Sequence, residues 1–236
     1  MQRYFSNELI NNKFKLLDSD IYHIKTVMRM NVNDLIEVVY ENNVYLAKII
    51  SNYEIEKVNK IETKSKISKE IVLIVPLLKE TKMDLILQKS TELGVSKIIP
   101  IITERTLIKL SQEKKEKRIS RWIRICKEAS EQSKRTDIPI ISEFLNINDL
   151  YFDGLKILCS TRNKNNILKN VLKKTDSYDR IIILIGPEGG LSEKEEEMLI
   201  KKGFIPTALG ELILRVETVP MYILSIINYE MSDCNG

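Results

Sequence analysis

The sequence predicts an α/β protein, with a parallel sheet in its C-terminal part and short strands in its N-terminal part. Apolar runs at Ile71–Leu78, Lys97–Ile102 and Ile181–Ile185 have the length and continuity of strands that are buried on both faces, as in parallel sheets. Between these runs, apolar residues recur at helical spacing. Residues 1–68 lack this alternation of strand and helix, so we expect one domain there and a second over residues 69–236.

The N-terminal region predicts a hairpin and one short helix. Leu35–Tyr40 and Val44–Ile50 are apolar segments on either side of Glu41-Asn42-Asn43, which suits a hairpin turn. A short helix is expected around Ser19 to Met30, and the polar residues from Lys57 to Lys69 lead into the second domain. The region therefore reads as mainly β.

The C-terminal region predicts helices between its strands. Thr81 is placed to cap a helix that follows the first apolar run, and a long helix spans roughly Ser111 to Arg135. Leu155–Cys159 is expected to form a strand and Asn165–Lys174 a helix. This order of elements is typical of a parallel sheet covered by helices.

A glycine-rich loop follows the strand at Ile181–Ile185. Its glycines, Gly186, Gly189 and Gly190, let backbone amides approach a ligand closely, and open α/β sheets bind ligands at the carboxyl ends of such strands. Pro187 stiffens the turn. Glu188 would repel a phosphate, so the loop suits a neutral or cationic ligand better than a nucleotide phosphate. The alternative is a tight strand-to-helix turn whose glutamate faces water.

The helix after this loop has recognisable end signals. Ser192 and Glu195 have the spacing of a capping box, and Gly203 supplies a stop. Acidic residues crowd the first turns and lysines the last, which suits the helix dipole. The predicted unit is therefore strand, ligand-type loop and helix.

A second candidate site lies just before the last helix. Gly210 breaks the chain, and Arg215 and Glu217 follow a short apolar segment. Thr218 is placed to N-cap the helix, so the two charged residues lie at the mouth of a helix N-terminus. The alternative interpretation is a surface ion pair beside an ordinary cap.

Composition argues against several functional classes. The chain has 236 residues, a net charge of +4 and three cysteines. No apolar run approaches the roughly 20 residues of a membrane helix, and the N-terminus does not resemble a signal peptide. Cys126, Cys159 and Cys234 lack metal-binding spacing, so a reduced, cytoplasmic setting is expected. His23 is the one histidine, which argues against a His-rich metal site and, from residue type alone, suits a solvated helix position.

Residues 105–135 form a basic segment. Such a stripe can follow the phosphates of a nucleic acid, although a solvated helix face gives the same pattern. The basic residues of the segment are Arg105, Lys109, Lys114, Lys115, Lys117, Arg118, Arg121, Arg124, Lys127, Lys134 and Arg135.

Motifs along nearly the whole chain resemble those of one family. Residues 1–5, M-Q-R-Y-F, resemble M-x-R-F-F, and residues 23–30, H-I-K-T-V-M-R-M, resemble H-x-x-x-V-L-R-L. Residues 91–105 resemble T-E-L-G-V…P…E-R, and residues 128–139 resemble E-A-x-x-Q-x-x-R-x-x-x-P. Residues 185–192, I-G-P-E-G-G-L-S, resemble I-G-P-E-G-G-F-S. By the order and spacing of these motifs, the chain is identified as a member of the RsmE family, the 16S ribosomal RNA (uracil-N3)-methyltransferases of the SPOUT class.

The resemblance implies a fold, a cofactor and partners. It implies a PUA-like RNA-binding β-barrel over residues 1–68 and a trefoil-knotted SPOUT methyltransferase domain over residues 69–236. It also implies a homodimer with its site at the subunit interface and S-adenosylmethionine as methyl donor. The acceptor would be N3 of one uridine in the 16S rRNA of the small ribosomal subunit. No metal and no membrane partner are expected.

The resemblance also implies roles for individual residues. Arg215 or Arg135 would stabilise the uridine anion, and Glu217 would orient the arginine or assist proton loss. The residues implied to contact RNA are Arg3, His23, Arg29, Arg105 and Arg135. The residues implied to bind the cofactor are Gly186, Pro187, Glu188, Gly189, Gly190, Leu209, Gly210, Ile213, Leu214 and Cys159.

One position departs from the family pattern. The family usually has L-G-x-R-I-L-R-x-E-T-A, and Leu212 stands where its first arginine is expected. This departure favours an alternative function, a SPOUT-fold RNA-binding or ribosome-assembly protein with weak or lost activity. A second alternative, a nucleotide-phosphate enzyme, is opposed by Glu188 and by the lack of phosphate-binding motifs.

Overall fold

The structure is a computed structural model of the chain. It describes residues 1–62, 69–106, 108, 110–162 and 166–231. Four features of the sequence analysis fall outside this set: Lys109, Cys234, the start of the predicted helix at Asn165, and residues 63–68 at the expected domain boundary.

The described residues divide into two compact units. The first lies within Met1–Lys66 and Lys127–Ile138, and the second within Ile67–Cys126 and Pro139–Gly236. Residues 127–138 therefore belong with the N-terminal strands, although they come much later in the sequence.

The first unit is built on a six-stranded sheet with the order β1-β4-β5-β6-β3-β2. β1 and β4 are parallel, and the other neighbours are antiparallel. β1 and β2 are the two edges of this sheet among the described residues, so the sheet is a curled half-barrel where the resemblance implied a barrel. The strands are β1 (Arg3–Phe5), β2 (Glu8–Ile10), β3 (Lys13–Lys15), β4 (Leu35–Tyr40), β5 (Asn43–Ile49) and β6 (Ile55–Ile61).

The predicted hairpin is confirmed and is tighter than expected. Its turn consists of Glu41 and Asn42, with φ values of 48° and 60°. Two central residues with positive φ are typical of a type I′ turn, which matches the twist of the strands it connects. Ile36 and Val38 of β4 are fully buried in the core of the unit, as the period of two along a strand predicts.

The predicted short helix of this unit is confirmed, but it is not uniform. It consists of α1 (Asp18–Tyr22) followed by a π-helical turn, His23–Val27. Arg29 has a φ of 51°, a left-handed conformation in which a helix does not continue.

The second unit contains the predicted parallel sheet. The strand order is β10-β8-β7-β12-β11-β13, with β9 paired to β8, and every pair is parallel. Ile71, Ile74, Ile182 and Leu184 are fully buried, because helices cover a parallel sheet on both faces. The strands are β7 (Glu70–Pro76), β8 (Lys97–Ile102), β9 (Ile140–Ile141), β10 (Leu145–Asn146), β11 (Leu155–Cys159), β12 (Arg180–Ile185) and β13 (Ile205–Thr207).

Among the described residues, five further α-helices follow the first unit's strands in the sequence. They are α2 (Glu80–Glu92), α3 (Gln112–Gln132), α4 (Leu168–Leu172), α5 (Glu193–Lys201) and α6 (Thr218–Met231). The predicted caps of α2 and α6 are wrong, since Lys79 is the N-cap of α2 and both threonines lie inside their helices. Of the described helices, each is too short or too polar to span a membrane.

The order of the strands determines where the loops of the second unit meet. β11 lies between β12 and β13, and Cys159 at its end pairs with both Ile185 and Thr207. Parallel strands that end at one level release their loops side by side at the carboxyl edge of the sheet. The trefoil knot stays a prediction.

Candidate active site

Three loops enclose a cleft at the carboxyl edge of the parallel sheet. They follow β11, β12 and β13, and together with Lys82 of α2 they form a cavity of about 520 Å³. This volume is within the range of about 300–1,000 Å³ that is typical of small-molecule sites. A smaller pocket of about 180 Å³ adjoins it. The residues that line both, and so make them one continuous site, are Cys159, Thr161, Ile213, Leu214 and Val219.

The glycine-rich loop forms a tight turn in the wall of this cleft. The N–H of Gly190 donates to the carbonyl of Pro187 at 2.8 Å. Gly190 has a φ of +69°, which favours glycine, and a Cβ built at this position would meet no atom within 4 Å. The open space beside the turn leaves its backbone accessible to a ligand.

The E-R motif, Glu104-Arg105, supports this loop and the helix after it. Arg105 Nη1 donates to the carbonyl of Gly189 at 2.5 Å. The N–H of Glu104 donates to Glu195 Oε1 at 2.8 Å, and Glu195 Oε2 accepts from the N–H of Ser192 at 2.8 Å. Ser192 Oγ accepts from the N–H of Glu195, so the predicted capping box is confirmed. Buried Glu195 thereby ties the start of α5 to the segment after β8.

Lys82 joins the two acidic positions of the site. Its Nζ lies 2.5 Å from Glu188 Oε1 and 3.3 Å from Glu217 Oε2. The hydrogen bond to Glu188 and the nearby charge of Glu217 raise the pKa of Lys82, which therefore stays protonated. A backbone hydrogen bond at Glu217, together with Lys82 and the charge of Arg215, lowers the pKa of the Glu217 carboxyl. The cluster thus holds one ammonium and two carboxylates.

A second polar group connects the loop after β11 to α5. Arg162 Nη2 donates to the carbonyl of Leu191 at 3.0 Å, and Arg162 Nη1 lies 3.9 Å from Glu196 Oε2. Ser160 Oγ donates to Glu196 Oε1 at 3.3 Å. Arg162 and Glu196 both line the cleft, so charged groups of both signs face the cavity.

Cys159 contributes an apolar surface to the cleft. Burial raises the pKa of its thiol to about 12, so the group is neutral at physiological pH. Because the thiolate is the reactive form of cysteine, this side chain is suited to packing and not to nucleophilic attack.

The segment before α6 carries both a charged and an apolar surface. Arg215 is exposed and lines the cleft. Leu212 and Ile213 are 82% and 83% exposed, which is unusual for side chains of this size. The loop therefore presents apolar side chains to the smaller pocket and a guanidinium to the larger one.

The structure brings together the residues that the sequence predicted for cofactor binding. All ten line one of the two adjoining cavities. Of the predicted catalytic residues, Arg215 lines the cleft and Glu217 contacts its wall through Lys82. Arg135 belongs to the first unit, where it forms an ion pair with Asp137 at 3.0 Å.

The residues predicted to contact RNA have different surroundings. Arg3 is 8% exposed, and its guanidinium donates to Glu37 and to the carbonyls of Lys134 and Arg135. His23 Nδ1 is 2.9 Å from the hydroxyl of Tyr4. Arg29 is exposed, and Arg105 binds the glycine-rich loop as described above.

Sequence reasoning missed Lys82 and Arg162 as parts of the site. Lys82 lies in the first turn of α2, where the helix dipole disfavours a cation. This unfavourable position is the one feature of the sequence that could have indicated that Lys82 interacts with residues outside α2. Arg162 follows a strand predicted correctly, but its residue type alone does not distinguish it from other surface arginines. Within the described residues, no group of three or more His, Cys, Asp or Glu side chains could hold a metal ion.

The family of the chain follows from comparison with known proteins. Residues 64–228 match the family model described as RNA methyltransferase domain. Ribosomal RNA small subunit methyltransferase E of Mesomycoplasma hyopneumoniae is 35% identical over 95% of this chain and 98% of that protein. The chain belongs to the ribosomal RNA small subunit methyltransferase E family. The Bacillus subtilis member is 30% identical over 100% of this chain and 99% of its own length.

Solved structures of related proteins have the same fold. A ribosomal RNA small subunit methyltransferase E from Neisseria gonorrhoeae, bound to S-adenosylmethionine, has a TM-score of 0.85 and 27% identity over 98% of both chains. A methyltransferase from Legionella pneumophila, in complex with the same cofactor, has a TM-score of 0.85 and 25% identity over 98% of both chains. The α/β fold with its parallel C-terminal sheet is thus a property of the family.

Proposed function

We propose that this protein transfers a methyl group from S-adenosylmethionine to N3 of one uridine in the 16S rRNA of the small ribosomal subunit. The observation that carries the proposal is the cleft in which a glycine turn, an apolar loop and an acidic wall meet. Relatives that match the chain over nearly its whole length are named as small-subunit rRNA methyltransferases. Two related structures, from Neisseria gonorrhoeae and Legionella pneumophila, hold this cofactor.

The residues of the cleft fit S-adenosylmethionine. The open backbone turn at Gly190 and the apolar side chains of Leu209, Ile213 and Leu214 suit an adenosine, whose ring needs flat apolar contacts and backbone hydrogen bonds. Glu188 is compatible with a sulfonium or an ammonium, whereas a phosphate would be repelled. When bound, the cofactor supplies a methyl group already activated on a positively charged sulfur.

The protein must then align the acceptor and help remove its proton. N3 of uridine is protonated at neutral pH and lies on the Watson–Crick edge, so the base must be unpaired or flipped. Arg215 stabilises the uridine anion as the proton leaves, with Arg135 as the second candidate for this role. Glu217, whose lowered pKa keeps it ionised, orients the arginine or assists proton loss.

The remaining parts of the proposal concern RNA, subunits and location. Residues 1–68 form the RNA-binding module and contact the RNA through His23 and Arg29. The basic segment of residues 105–135, which includes Arg105, binds phosphates of the same RNA. Residues 69–236 form the methyltransferase domain. The enzyme acts as a homodimer in the cytoplasm, which sedimentation at several protein concentrations and cell fractionation test directly.

Mapping of rRNA by mass spectrometry tests the reaction. Cells that lack the protein are expected to lose one N3-methyluridine from 16S rRNA and to regain it on complementation. Glu217→Gln, which keeps the shape of the side chain, serves as the inactive comparison. Purified protein should methylate small subunits from the deletion strain with labelled S-adenosylmethionine. A deletion strain that keeps its N3-methyluridine, together with no transfer of label to its subunits in vitro, would contradict the proposal.

Leu212 favours a second candidate function. Its exposed apolar side chain occupies the position of an arginine in the family motif, so the chain could bind small-subunit rRNA as an assembly protein without turnover. The same in vitro assay distinguishes the two functions, because an assembly protein would bind subunits without transferring label. Leu212→Arg would then be expected to restore transfer.

A further inference from the structure

Three segments that are distant in the sequence meet at Lys82. The lysine comes from the first turn of α2, Glu188 from the loop after β12, and Glu217 from the residue before α6. Lys82 is 29% exposed and Glu217 16%, whereas Glu188 is 52% exposed. The more accessible of the two carboxylates is therefore the one in the glycine-rich loop.

The position of Lys82 is unfavourable for its own helix. A cation in the first turn lies at the positive end of the helix dipole, which disfavours it. The two carboxylates offset this cost, so the lysine is explained by the site and not by the helix. Lys82 contacts both carboxylates, and the charge of Arg215 also acts on Glu217, so Glu188 is the carboxylate with Lys82 as its one positive partner among the residues of this cluster.

The donor and the product of the proposed reaction differ in charge at sulfur. S-adenosylmethionine carries a positive sulfonium, and S-adenosylhomocysteine carries a neutral thioether. Both have the same amino-acid tail and the same adenosine. A side chain that competes with a cation for a carboxylate of the cleft therefore affects the donor more than the product.

We propose that Lys82 is a positioning residue that acts as an exchangeable counter-ion for Glu188 and so limits the preference of the cleft for donor over product. This inference rests on the proposed function. In the free protein Lys82 neutralises Glu188. A bound donor would compete with Lys82 for Glu188 and leave the lysine on Glu217, whereas the neutral sulfur of the product would leave the contact between Lys82 and Glu188 in place.

Binding of both compounds by calorimetry tests the inference without measuring turnover. In Lys82→Met the ratio of the Kd for S-adenosylhomocysteine to the Kd for S-adenosylmethionine should rise about fivefold, since Glu188 has lost its competitor. Methionine has a helix propensity close to that of lysine, so α2 should persist. Lys82→Arg keeps the charge and should keep the wild-type ratio. Lys79→Met is the matched control, because Lys79 is exposed and does not line the cleft.

A second variant keeps the test decisive if Lys82→Met does not fold. Glu188→Gln removes the carboxylate for which lysine and donor compete, and should lower the same ratio about fivefold. A ratio that stays at the wild-type value in the folded variant would overturn the inference and leave Lys82 as a structural ion pair. If the wild-type protein binds neither compound, the proposed function itself is wrong, and the inference falls with it.

Discussion

The charge of Arg215 makes the most direct residue-scale prediction. Because its guanidinium is exposed in the cleft, Arg215→Ala should lower the single-turnover rate of uridine methylation about 100-fold, as loss of one stabilising donor does elsewhere. Binding of S-adenosylmethionine should change far less. Arg180→Ala is the control, since Arg180 pairs with Glu70 at the opposite end of β12. An unchanged rate would remove Arg215 from the mechanism and leave Arg135 as the candidate.

Tyr4 gives a residue-scale prediction about pH. Burial, followed by the charges of Glu131 and Asp20, raises its pKa to about 12 from 10.0. A raised pKa means that the folded protein keeps this proton longer than the unfolded chain, so the stabilisation is complete below pH 10 and is lost as the pH rises towards 12.

Tyr4→Phe should therefore flatten the loss of stability on the alkaline side. Relative to wild type, the variant should gain about 1 kcal/mol between pH 9 and pH 11 in urea unfolding. Tyr22→Phe is the matched control, because Tyr22 is 63% exposed. Parallel curves for Tyr4→Phe and wild type would show that the phenol does not contribute.

At the scale of secondary-structure elements, the start of α5 is the most strongly supported helix end. Ser192 and Glu195 satisfy two backbone donors of the helix, and Glu195 also accepts from the N–H of Glu104. Loss of the serine cap alone should cost about 1 kcal/mol. Loss of the glutamate removes the acceptor of two N–H groups, those of Ser192 and Glu104, and should cost about 2 kcal/mol or more.

Chemical denaturation of three variants tests this order. We expect Glu195→Ala to be less stable than Ser192→Ala, and Glu193→Ala, in an exposed position of the same turn, to resemble wild type. The affinity for S-adenosylmethionine should follow the same order, since α5 begins directly after the loop that lines the cleft. If Glu195→Ala is as stable as Ser192→Ala, the hydrogen bond from Glu104 to Glu195 does not stabilise the protein.

The same elements show what the sequence could predict. The apolar runs predicted β8 and β11 with the correct bounds, and the spacing of Ser192 and Glu195 predicted the capping box of α5. These features depend on a few neighbouring residues. The predicted caps at Thr81 and Thr218 were wrong because α2 begins two residues and α6 one residue before the predicted start, and residue types alone do not determine a helix boundary that closely.

The charged cluster of the site shows what the sequence could not predict. Its members, Lys82, Glu188 and Glu217, come from three elements, and only the strand order of the sheet places them together. From its sequence neighbours alone, each of these three residues would be interpreted as an ordinary surface charge. The glycine loop and Arg215 were found because motifs preserve them as neighbours in sequence, whereas a contact between distant segments leaves no local pattern.

At the scale of the whole molecule, residues 127–138 connect distant parts of the sequence within the first unit. Lys127 forms ion pairs with Asp20 and Glu131, each at 2.6 Å. Lys134 binds Glu37 at 3.1 Å, and the carbonyls after α3 accept from Arg3. The first unit is therefore stabilised by a segment from the middle of the chain. Removal of residues 1–68 would remove the residues that this segment contacts.

Arg3 and Arg29 should consequently differ in what their substitution does. Both were expected to contact RNA, but Arg3 is 8% exposed and bonded within the unit, whereas Arg29 is exposed. Arg3→Met removes one partner of a buried ion pair with Glu37 and should cost about 3 kcal/mol of unfolding free energy. Arg29→Met should leave stability unchanged within about 0.5 kcal/mol and weaken binding to small-subunit rRNA, with a smaller dependence of affinity on salt. Thermal unfolding and filter binding at two salt concentrations separate the two effects. A stable Arg3→Met protein with lost RNA affinity would show instead that this arginine reaches the RNA directly.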